Sequence, residues 1–250
     1  MVRTLLVRGM LVGILAGILS FGFLKLYGEP QVDLAISFET QMDLQKEAAE
    51  RAKGMTIEEE PELVSRAVQA SIGLFTAVMV YCTAFGGLFG LAFAFAYGRM
   101  PGVFTPRAAS LMLAAAGFVA IYLVPNLKYP ANPPSVGDPE TIGMRTALYF
   151  IMITISIAAM VGAIALKRLL VTRFGDWNAT LIVAAYYIVI VVVAGLLLPT
   201  INEVPTEFPA VVLWKFRVAS MGAQLIMWGT LGIAFGASVE RVFATRSLRV

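Results

Sequence analysis

Histidine is absent from all 250 residues, and cysteine occurs once, at Cys82. The commonest general base and the commonest transition-metal ligand are therefore missing together. Ser-His-Asp hydrolysis, HExxH zinc chemistry and histidine-ligated haem are excluded, and so is a P-loop ATPase, because no GxxxxGK[ST] motif occurs. What remains is oxygen chemistry. Glu29, Asp33, Asn132, Asp138, Glu140 and Glu203 lie near the ends of apolar runs. Their carboxylate and amide oxygens suit hard or borderline divalent cations, bound with modest selectivity. Arg66, Lys128, Arg145 and Arg217 fall among them, either to pair with those carboxylates or to hold an anion. Asp138 and Glu140 have a competing role, since Asp138-Pro139-Glu140-Thr141 reads as a helix start with Asp138 as its cap. Glu29 and Glu203 follow apolar runs instead of opening them, which makes them the leading ligand candidates. Met79 and Cys82 share a helix face, but without histidine they read as core packing.

The elements that must position these groups are apolar. With 59% hydrophobic residues, 14% charged residues and a mean hydropathy of +0.81, the chain lies outside the range of soluble domains. Six runs are long enough for a hydrocarbon core of about 30 Å, at residues 4–27, 64–97, 108–124, 142–166, 179–198 and 211–238. Stretches such as IMITISIAAMVGAIAL do not alternate, so a β-barrel is excluded. The expected fold is an all-α polytopic membrane bundle, one membrane domain over residues 1–250. The first run is read as a retained helix, not a cleaved leader. Its Gly9, Gly13 and Gly17 form a small-residue ladder for close helix packing, and Gly86, Gly87 and Gly90 do the same in the second run.

Between the runs lie three polar outer segments. Residues 29–62 are expected to begin where Gly28-Glu29-Pro30 ends the first helix. They form an amphipathic helix with Glu39, Asp43, Glu47 and Glu50 on one solvated face, then the acidic stretch Glu58 to Glu62. Residues 125–141 carry Pro125, Pro130, Pro133, Pro134 and Pro139, and residues 199–210 carry Pro199, Pro205 and Pro209. Proline fixes φ and donates no N–H, so both segments read as non-helical connectors. The opposite segments are a short turn at residues 98–106 and a loop at residues 167–176. Within or directly beside them lie Arg99, Arg107, Lys167, Arg168 and Arg173, with Asp176 as the one acid. Together with Arg3, Arg8, Arg241, Arg246 and Arg249 they place both termini in the cytoplasm by the positive-inside rule. The net charge of +3 thus reflects topology, and no nucleic-acid partner is expected.

The segments GEPQVDLAISFE, LVPNLKYPANPPSVGDPETIGMRTALY and LPTINEVPTEFPAVVLWKFR, in this order between these runs, resemble the CbtA family of cobalt transporter subunits. YPANPPSVGDPET is the most specific part. The resemblance implies a non-enzymatic subunit of the bacterial inner membrane, serving cobalt uptake for cobalamin synthesis. Co²⁺, or Ni²⁺, is then the substrate, with no resident cofactor. It also implies five spans where hydropathy counts six, and a small single-span, histidine-bearing partner of the CbtB type. Such a partner would supply the nitrogen ligands this chain lacks. The readings from other classes are an integral-membrane enzyme on a lipid or isoprenoid phosphate and a non-transporting assembly subunit.

Overall fold

Every regular element of the computed structural model is helical among the residues it describes, which are 1–53, 64–97, 99, 104–134 and 136–247. Among the described residues, five continuous helical stretches are long and apolar enough to cross a membrane. The acidic stretch Glu58 to Glu62 and most of the turn at residues 98–106 lie outside the described residues.

The first stretch corrects an expectation. Helix α1 (Val2–Phe23) does not stop at Gly28-Glu29-Pro30 but passes through a π turn, Leu24–Gly28, into α2 (Glu29–Ala52). The same device recurs where Pro125 was expected to open a non-helical connector. Helix α5 (Pro106–Gly117) runs through a π turn, Phe118–Leu123, into α6 (Val124–Lys128). In both places the π turn ends two residues before the proline. A proline in an α-helix removes one hydrogen bond, and its ring meets the carbonyl four residues back. The extra residue in a π turn moves that carbonyl aside, so the helix survives. At Leu198-Pro199 no π turn precedes the proline, and the helix stops.

By contacts the described chain separates into two units. The first comprises Met1–Ala114, Asn132–Val136 and Val204–Val250. In it α1 packs on α4 (Leu74–Tyr97), which continues from the short α3 (Arg66–Val68) through a π turn. The two glycine ladders read from sequence face each other. A Cβ on Gly13 would collide with the Cys82 carbonyl, and one on Gly90 would stand 2.5 Å from the Leu5 carbonyl oxygen. Backbones come this close because apolar area drives little association between helices in lipid, which leaves van der Waals contact between small residues to do so. Helix α8 (Ala210–Thr230), with its π turn and α9 (Gly236–Ser247), completes this unit. The Ser20 hydroxyl donates to the Ala223 carbonyl and the buried Ser110 hydroxyl to that of Gly232. Phe89, Phe93, Trp228 and Phe235 meet edge to face in its core.

The second unit comprises Ala115–Ala131 and Gly137–Glu203. Its main element, α7 (Ile142–Leu197), is interrupted only at Gly175, where φ is +75° and favours glycine. The loop expected at residues 167–176 is therefore helix on both sides of one hinge residue. Ser156 and Tyr187 would lie about 46 Å apart along a straight helix, yet their hydroxyls hydrogen-bond at 2.7 Å. The Tyr186 hydroxyl also lies over Gly162, and Lys167 pairs with Asp176 at 3.0 Å. Helix α7 is thus a hairpin of two arms, residues 142–174 and 176–197. Each arm is long enough to span, and the two arms coincide with the fourth and fifth apolar runs. Met152 and Ala194, from opposite arms, pack with Val124 in its core.

Candidate functional site

In the first unit, the continuation of α1 into α2 puts Glu29 and Asp33 one helical turn apart on one face. Both reach a single cation. Arg66, the first residue of α3, gives Nη2 to Glu29 Oε2 at 2.5 Å, and Nε and Nη2 to Asp33 Oδ1 at 3.0 and 2.9 Å. Glu29 is 8% exposed, whereas Asp33 faces solvent. Two carboxylates thus share one guanidinium, which leaves the cluster with a net charge of −1. Close by, Lys25 Nζ donates to the Ala70 carbonyl at 2.8 Å. Asn132 lies in the part of the proline connector that belongs to this unit, and its Oδ1 accepts from Arg217 Nη2 at 2.9 Å. An apolar plug of Ala35, Val136 and Phe208, packed with Phe38 and Leu213, ties both connectors to α2.

In the second unit Asp138 caps the turn that leads into α7, where its sequence predicts a helix start. Its Oδ1 accepts the Glu140 N–H at 2.9 Å at the head of a 3₁₀ turn, Pro139–Thr141. Its own N–H donates to Glu203 Oε2 at 2.9 Å, and its carbonyl accepts from Arg145 Nη2 at 3.1 Å. Arg145 Nε lies 3.4 Å from the same Glu203 oxygen. The Thr141 hydroxyl, the Asp138 N–H and the Arg145 charge hold the Glu203 carboxyl below the usual range, against the opposing effect of burial. Gly137, with φ +119°, closes this cluster, because a Cβ there would collide with the Arg145 guanidinium. Glu140 is exposed. Lys128 donates to the Thr200 hydroxyl at 3.0 Å, and Tyr129 donates to the Pro199 carbonyl at 2.8 Å. Burial raises the pKa of Tyr129.

The candidates therefore gather in groups, each with a cation of its own. Glu29 and Asp33 belong to Arg66, Asp138 and Glu203 to Arg145, and Asn132 to Arg217, while among the described residues Glu140 and Lys128 join no carboxylate cluster. Among the described residues no three of His, Cys, Asp and Glu form a ready metal cage. Sequence reasoning missed Thr141 and Gly137, since neither has a metal-ligand side chain. The positive-φ glycine is the one local signal that a crowded approach was needed there.

The family described as "Probable cobalt transporter subunit (CbtA)" matches residues 2–240, nearly the whole chain. The chain belongs to the CbtA family. Searches of curated proteins and of solved structures found no match. Membership agrees with the resemblance read from the connectors, whose residues 125–141 and 199–203 build the second cluster. The chain is thus a multi-pass helical membrane protein of a cobalt transporter subunit family.

Proposed function

We propose that this chain is the permease subunit for uptake of Co²⁺ or Ni²⁺ across the bacterial inner membrane, with its proline connectors on the outer face. One observation carries the reading: Glu29 and Asp33 face one guanidinium and keep a net negative charge where the apolar α1 passes into the polar α2. A divalent cation entering the bundle must exchange water for fixed oxygens, because a bare ion in low dielectric is very costly. Two carboxylates one turn apart supply such oxygens once Arg66 swings away, and the arginine neutralises them until then. Glu203 and Asp138 form a second oxygen cluster of the same kind, held by Arg145, and Asn132 and Glu140 add oxygens at the connector. Arg66 directs its donors to carboxylates, and Arg145 gives Nη2 to a carbonyl and its charge to Glu203, which weighs against an enzyme that holds a lipid or isoprenoid phosphate with them. A small single-span subunit of the CbtB type would contribute the imidazoles this chain lacks.

The test is radiolabelled Co²⁺ uptake by cells expressing this chain, with and without the small histidine-bearing partner. Neutral isosteres keep side-chain volume and remove charge. Glu29→Gln and Glu203→Gln should each lower uptake by more than about tenfold at unchanged membrane abundance. Glu47→Gln, on the solvated helix and paired with Arg51, should change it by less than about twofold. Parental uptake in all three variants would refute the carboxylate path.

A further inference from the structure

A π turn inside an α-helix displaces one carbonyl from the ladder, because the N–H that would reach it goes to the carbonyl before it. In the first unit this happens at Gln69–Gly73, between α3 and α4. The Leu74 N–H donates to the carbonyls of Gln69 and Ser71, and the Ala70 carbonyl between them accepts from Lys25 Nζ at 2.8 Å. The π turn Leu231–Phe235 repeats the arrangement. There the Gly236 N–H donates to Ile233, and the Gly232 carbonyl accepts from Ser110 Oγ at 2.8 Å. In both turns a side chain from another helix serves the carbonyl that the extra residue displaces. Such a donor favours π over α winding, since α winding would return that carbonyl to the ladder.

The turn at Gln69–Gly73 lies between Arg66 and α4, and the glycine ladders fix α4 on α1. Rewinding it as α would therefore move the residues before it, because one residue of α-helix turns the chain by about 100° and advances it about 1.5 Å. A rotation of that size takes the Arg66 guanidinium off Glu29 and Asp33, where it now sits. We propose that Lys25 is a positioning residue for Arg66: its ammonium, on the Ala70 carbonyl, holds the π turn that sets the guanidinium on the two carboxylates. Lys25 stands four residues before Glu29, about one turn away. A divalent ion on Glu29 and Asp33 repels its ammonium, and the freed turn rewinds and carries Arg66 away. This second step rests on the metal path proposed above, whereas the hold of Lys25 on the turn does not.

Distances between spin labels, measured by pulsed electron resonance on the full chain in nanodiscs without metal, test the hold of Lys25. With Cys82 replaced by alanine, one label goes at Ser65, whose side chain makes no cap, and the other at Leu19 or Val218, both exposed. Lys25→Met should add a second population displaced by about 5 Å or more in at least one pair, as a turn of about 100° in a helix about 10–12 Å across implies. Lys25→Arg keeps a donor and should match the parent. Deletion of Ile72, an exposed residue of the turn, leaves plain α winding with Arg66 in place, and in that background Lys25→Met should shift nothing. The second step is read from the rise in melting midpoint with Co²⁺. That rise should be larger for Lys25→Met than for Lys25→Met in the deletion, where the same charge is lost but Arg66 stays. A shifted distance with no Co²⁺ response in any variant would uphold the hold of Lys25 and refute the metal path, and equal responses would overturn the second step. Unchanged distances in Lys25→Met would overturn the proposal. So would an equal shift in Lys25→Arg, or a shift that persists in a folded deletion variant.

Discussion

Arg66 sets the behaviour of the first cluster because it is the counter-charge to a carboxylate with little access to water. Removing one partner of a buried pair is more harmful than removing both, since the remaining charge is stranded. Arg66→Gln should lower the melting midpoint in detergent more than Glu29→Gln does. If the two carboxylates also take a divalent ion, Co²⁺ should raise the midpoint of Arg66→Gln by more than that of the parent, because a ligand that binds only the folded state stabilises it. A Co²⁺ response no larger than the parent's would mean that Arg66 does not compete with metal. Glu203 gives a prediction in pH. Its folded pKa lies below the ordinary value of 4.5, so its contribution to stability is complete above that value and is lost as pH falls through the lowered one. The midpoint difference between parent and Glu203→Gln should therefore be largest near neutrality and shrink below about pH 4.5. A difference that grows on acidification would contradict the cluster. At this scale the sequence disclosed the groups but not their pairings. Arg66 is 37 positions from Glu29, and the Asp138 N–H is 65 from its acceptor on Glu203. Contacts so distant in sequence leave no periodic trace along the chain.

Helix packing was more legible than helix ends. The small-residue ladders announce themselves by spacing, and the structure sets one against the other. Gly13→Leu forces a side chain into the Cys82 carbonyl, and overpacking of this kind costs about 3 kcal/mol. Leu15→Ala trims a residue that is 45% exposed, so its effect should stay within about 0.5 kcal/mol. Midpoints from fluorescence-detected size-exclusion chromatography should separate the two by several degrees, and equal midpoints would show that the ladder bears no packing. Helix ends misled because proline reads as a stop. At Pro30 and Pro125 the π turn just before it absorbs both the missing N–H and the ring. Nothing in LKLYGEP or FVAIYLVP marks that extra residue in advance. The reverse held at Gly175, where a basic polar stretch suggested a loop, yet one residue of positive φ turns the chain.

For the whole molecule, the hairpin at Gly175 decides how many times the chain crosses. Hydropathy separates six runs, the family resemblance implies five spans, and the described helices form five long stretches of which one is folded on itself. If the two arms of α7 each cross, residues on either side of the hairpin lie on the same face. If α7 counts once, they lie on opposite faces. Charge points to six, because Lys167, Arg168 and Arg173 surround the hinge while the connectors before and after it carry Asp138, Glu140, Glu203 and Glu207. Cysteines introduced singly at Glu140, Thr172 and Thr206, in a background where the buried Cys82 is replaced by alanine, resolve the question. An impermeant maleimide applied to intact spheroplasts should label the first and third and leave Thr172→Cys untouched until the membrane is permeabilised. Labelling at Glu140 without labelling at Thr206 would restore five passes and contradict the Asp138–Glu203 hydrogen bond, which puts both ends of the hairpin on one face. Labelling at Thr172 alone would invert the molecule, and the carboxylate clusters would then open to the cytoplasm, where they would serve release of the metal instead of its capture.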